Sequence, residues 1–123
     1  MVKRKQRLLI LVLLLAATAC APELDFEELI DRAAVAYANG DVSAAEVDVK
    51  AALALDAESS AARALYGRIY IDKLNHVAAV GEFKRSLKAK EDAAVRLELA
   101  KALILTGEST EVVSGWESGV RSE

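Results

Sequence analysis

The chain has 123 residues, 54% of them hydrophobic, with a formal net charge of −3 and one cysteine. That is enough for one small domain, and a lone cysteine excludes an internal disulfide. Without Lys3, Arg4, Lys5 and Arg7 the remainder carries 12 basic against 19 acidic residues. This acidic surplus argues against a nucleic-acid binder, which needs a basic face to displace counterions.

The first element is the basic start followed by the apolar run Leu8 to Ala19 and the small residues "AATAC". This is the layout of a secretory signal. Twelve helical residues span roughly 18 Å, against a hydrocarbon core of about 30 Å, so the run is a poor permanent span. "ATAC" resembles the lipobox of bacterial lipoproteins, although that family prefers leucine where Ala17 stands. The resemblance implies a signal peptide over 1–19, cleavage before Cys20, and lipid on its thiol, with 20–24 as a short lipidated tether. Two or more acyl chains would hold the protein stably, whereas one would not. Plain secretion and an uncleaved anchor are the alternatives. Ala21, where an aspartate would retain a Gram-negative lipoprotein in the inner membrane, implies the periplasmic face of the outer membrane if the host is Gram-negative.

Beyond Pro22 there is no proline, and the patterning is helical throughout. Capping boxes are expected at Asp25 with Glu28 and at Ser43 with Glu46. Further N-caps are expected at Ser59 or Ser60, Asn75, Asp92 and Ser109. Gly40 and Gly107 punctuate two gaps. Six helices follow, over roughly 25–38, 43–56, 60–73, 76–89, 92–105 and 109–119.

These helices pair, and the pairs repeat. In "YGRIYIDKLNHVAAVGEFKRSL", Gly67, Tyr70, Ala79 and Phe83 alternate small and aromatic residues. Ala45, Val49, Ala52 and Leu53 precede Ala79, Phe83, Ser86 and Leu87 by 34 positions, and Val112, Trp116, Gly119 and Val120 follow them by 33. The spacing resembles the tetratricopeptide repeat. That implies an all-α domain over 25–123, with antiparallel pairs at about 25–57, 58–91 and 92–120 stacked as a right-handed solenoid. Leu74 stands where the second pair should have its turn glycine. The first pair looks one residue short between Tyr37 and Ala45. Together with Cys20, the stretch "LIDRAAVAYANGDVSAAEVDVKAALALDAESSAARALYGRIYI" resembles the amino-terminal end of tetratricopeptide lipoproteins of the PEP-CTERM/exosortase export systems, of which this chain would be a truncated or minimal relative. Pilus-assembly lipoproteins of the same repeat type compete with that reading, as does a soluble secreted binding module.

Nothing in the chain assembles a catalytic or metal constellation, so a non-enzymatic protein without cofactor is expected. His76, the only histidine, is expected to be a solvated first-turn residue, and Asp41, Asp48 and Asp56 a solvated acidic face. The repeat resemblance implies a peptide or partner-helix groove along the first helix of each pair, at Arg68, Ile71, Asp72, Leu97, Lys101 and Leu105. The expected partners are an envelope protein and, through Cys20, the membrane. An outer apolar face at Leu99, Leu103, Val113 and Trp116 implies self-association through the carboxy-terminal pair.

Overall fold

In the computed structural model of the chain, residues 23–107 are described, and they are all-helical. Five helices follow in order: α1 (Phe26–Ala38), α2 (Val42–Leu55), α3 (Ser60–Asp72), α4 (His76–Ala89) and α5 (Ala93–Thr106). The expected sixth helix, with Ser109 and Trp116, lies outside the described residues, as do Cys20 and the leader.

Each start is fixed by a side chain that satisfies an otherwise orphaned backbone N–H. Asp25 accepts from Glu28 N, Ser59 from Ala62 N, Asn75 from Ala78 N, and Asp92 from Ala94 N and Val95 N. The second helix departs from expectation. It is capped by Asp41, which accepts from Ala44 N at 3.0 Å, rather than by Ser43. The reason lies in the preceding turn. Gly40 takes φ +81 and its N–H bonds Tyr37 O, while Asp41 N bonds Ala36 O at 2.9 Å. This two-bond closure releases the chain upward at Asp41, whose carboxylate is then the first acceptor in reach.

The same closure ends α3. Leu74 N bonds Ile71 O and Asn75 N bonds Tyr70 O, both at 2.9 Å, and Leu74 has φ +58. Leucine thus occupies a left-handed position that favours glycine. The turn after α1 is not a residue short. Phe26 and Ser60, Ala38 and Asp72, Val42 and His76, and Leu55 and Ala89 are each 34 residues apart. The shortfall inferred from Tyr37 came from aligning it with Tyr70; its counterpart is Ile71.

Successive helices pack on one another, and α1 also touches α3. Two core clusters flank α3. Ala33, Ala45 and Val49 meet Leu65, Tyr66 and Ile69 on one side; Ala64, Ala79, Val80, Phe83, Val95, Ala102 and Leu103 gather on the other, and Tyr70 packs against both. α3 and α4 run antiparallel. The first residue of α3 meets the end of α4, where the buried Ser86 hydroxyl donates to Ser60 O at 2.9 Å. Near mid-helix, Gly67 faces Phe83 so closely that a Cβ would come within 2.5 Å of the ring. The small residues Gly67 and Ala79 are both buried as the spacing implied, but it is the Phe83 ring, only 1% exposed, that lies against Gly67.

Candidate interaction face

The α1–α2, α2–α3 and α3–α4 junctions each carry a charged pair, and these pairs place the polar groups. Between α1 and α2, Arg32 clamps Asp48 through Nε at 3.1 Å and a terminal nitrogen at 2.7 Å. Asp48 is buried, so it is no member of a solvated face; its partner lies 16 positions away and offsets the cost of burying a charge. Between α2 and α3, Glu46 takes Lys73, along with Lys50 one turn on. These hydrogen bonds hold its carboxyl below the ordinary range. Between α3 and α4, buried Glu82 is held by Arg63 at 2.8 Å and Arg85 at 2.6 Å.

The three odd-numbered helices are joined on one side by a polar ladder. Tyr37 of α1 lies beside the Asp72 carboxylate of α3, and burial, then that carboxylate, pushes its phenol up to about 12. One turn back, Arg68 Nε donates to both carboxylate oxygens of Glu98 of α5 at 3.0 Å. Two of the expected groove residues, Arg68 and Asp72, therefore form adjacent rungs. Lys101 and Leu105 follow them by 33 positions and are exposed. Ile71 is different: half-buried, it packs against the cluster formed with α4 and α5. Leu97 is 57% exposed, and its counterpart 33 positions back is Ala64, which sits in that same α4-side cluster. Tyr37 and Glu98 were not foreseen, because each is fixed by a partner more than 29 positions away.

Other surfaces are less organised. An open cleft of about 730 Å3 beside α1 has Val35, Ala36 and Ala44 in its wall and Asp25, Glu28 and Asp31 around it. A smaller cavity of about 170 Å3 is lined by Arg63, Arg85 and Lys88 with Ala57 and Glu58. It is a poor anion site, since Arg63 and Arg85 are spent on Glu82 and Arg63 also donates to Ala57 O. His76 is half-buried with its Nδ1 covered and unpartnered, not fully solvated as expected. Leu103 is buried and Leu99 half-buried, so neither builds the outer apolar face. Among the described residues no His, Cys, Asp and Glu group is arranged to hold a metal, and no helix is long and apolar enough to cross a membrane.

Comparison with protein-family models, curated proteins and solved structures returns no match.

Proposed function

We propose that the chain is a lipid-anchored, non-enzymatic scaffold of the bacterial cell envelope, built as a tetratricopeptide-like right-handed solenoid, that holds a peptide or partner helix on the face shared by α1, α3 and α5. The observation that carries the reading is the 34-residue recurrence of all four helix boundaries from α1–α2 to α3–α4, reinforced by the identical turn closures at Gly40 and Leu74. A repeat of that length stacks helices of one kind side by side, so their side chains line one continuous surface. Here that surface alternates fixed charges with exposed small residues: Ala34 and Ala38 are the counterparts of Arg68 and Asp72. Such a surface suits an extended chain, whose backbone can approach the alanines while its polar groups meet the ladder. Cys20 supplies the tether, and with Ala21 after it the protein belongs on the periplasmic face of the outer membrane of a Gram-negative host. Exopolysaccharide and sorted-protein export is the pathway that the sequence resemblance favours.

The test is cellular. Cys20→Ser should leave the membrane fraction while keeping its helicity. A photo-crosslinking residue at Lys101 should trap a partner that one at Lys50, on α2, does not, and Arg68→Glu should abolish the adduct. Retention of Cys20→Ser after carbonate extraction, or equal adducts at both positions, would overturn the reading.

A further inference from the structure

The outer side of α1 is a stacking face without a stack. Asp31, Arg32 and Val35 stand 34 positions before Leu65, Tyr66 and Ile69, the α3 residues that pack on Ala33, Ala45 and Val49 of the first pair. The matching side of α1 has no cover among the described residues. It carries the open cleft of about 730 Å3 with Val35, Ala36 and Ala44 in its wall, and Val35 is 61% exposed. Asp25, Glu27, Glu28 and Asp31 rim this cleft, and the one cation among its lining residues, Arg32, is tied to Asp48.

The complementary surface is on α4. Val77, 72% exposed, shares one stripe of that helix with Gly81, Lys84 and Lys88. A Cβ added at Gly81 would meet nothing within 4 Å. Packing within the chain therefore does not require this glycine, although glycine weakens a helix interior; its bare Cα suits the close approach of another helix. The two surfaces also share a register. Gly81, Lys84 and Arg85 follow Val77 by 4, 7 and 8 positions, and Asp31, Glu28 and Glu27 precede Val35 by 4, 7 and 8.

We propose that the α1 cleft of one copy receives the α4 stripe of a second copy, antiparallel, with Val77 on Val35, Gly81 at Asp31, and Lys84 and Arg85 over Glu28 and Glu27. Charge favours the same pairing at longer range. Residues 23–58 hold ten acidic and two basic side chains, whereas residues 59–90 hold two acidic and seven basic. The two surfaces differ, so the contact is head-to-tail and repeats from copy to copy. α4 runs against α3, and α3 runs with α1, so an antiparallel α1–α4 contact leaves every copy pointing the same way. Such a row accommodates tethers in one membrane, but the inference rests on the two surfaces and survives failure of the membrane-scaffold reading.

Sedimentation velocity of the full chain tests it. The mean mass should rise with concentration at about 0.05 M salt and fall back to monomer at about 0.5 M, where such charges are screened. Glu28→Lys with Asp31→Lys should give monomers, and so should Lys84→Glu with Lys88→Glu; mixed, the two variants should associate again. Gly81→Leu should abolish association while its thermal midpoint stays or rises, which separates a blocked contact from a damaged fold. Leu105→Asp, on neither surface, should associate as the unsubstituted chain does. A monomer at every concentration in low salt, association that survives either charge reversal or Gly81→Leu, or association lost on Leu105→Asp would overturn the proposal.

Discussion

The α1–α2 and α3–α4 regions have the same boundaries 34 residues apart and the same turn closure, yet they fill their interiors differently. The first sets Ala33 and Val49 in its core; at the matching positions the second sets Gly67 and Phe83. A methyl opposite a small branched side chain and a bare Cα opposite an aromatic ring occupy similar space. The first neutralises buried Asp48 with one arginine from α1, and the second neutralises Glu82, its counterpart, with arginines from α3 and from α4 itself. The path of the backbone thus follows the spacing of caps, left-handed turns and small residues, while the side chains need only conserve volume and charge.

Phe83→Ala breaks the comparison most severely. It should cost about 3–5 kcal/mol, against roughly 2 kcal/mol for Val49→Ala, which removes less volume. Thermal melts read by circular dichroism will rank the two; equal losses would mean that the aromatic ring is not the keystone of the second region. Gly67→Ala comes next. Its new Cβ would overlap the Phe83 ring, an overpacking that costs about 1–3 kcal/mol. The double substitution Gly67→Ala with Phe83→Val recreates the first region's filling and should be more stable than the sum of the two single losses. Simple additivity would show that the two positions do not share one space.

Acid tests the junction between the regions. Glu46 titrates below its ordinary value when folded, so its contribution is present above the unfolded pKa near 4.5 and fades as pH falls through the lower folded value. Glu46→Gln should lose stability at neutral pH and lose less on acidification, which denaturant titrations at several pH values will reveal. An unchanged acid profile would remove Glu46 from the account. The smallest effect is opposite in sign. Leu74→Gly relieves a left-handed leucine that is 79% exposed and should stabilise by about 1 kcal/mol, whereas Gly40→Ala at the matching turn should destabilise by a similar amount.

Much of this was legible in the sequence because its signals are local. Asp25, Ser59, Asn75 and Asp92 announce helix starts within three residues, and the alternation of Gly67, Tyr70, Ala79 and Phe83 marks the helices that pack closely, though not that the Phe83 ring is what meets Gly67. The misplaced cap at Ser43 came from reading a capping box without the turn before it, which puts Asp41 first in reach. Burial of Asp48 was hidden because Arg32 lies on another helix, and the ladder from Tyr37 to Asp72 and from Arg68 to Glu98 was hidden for the same reason. α5 misled in another way. It is apolar around much of its circumference, burying Val95, Ala102 and Leu103 while exposing Leu97, Ile104 and Leu105, so periodicity alone could not say which side faces α4.

The claim that joins sequence to function is that a repeat array is tethered to a membrane through Cys20. Mass spectrometry of the amino-terminal peptide of the protein recovered from membranes tests it most directly. The account predicts a chain that begins at Cys20 with a diacylglyceryl thioether on its sulfur. A chain that retains residues 1–19, or one that begins at Cys20 or beyond without lipid, would contradict it.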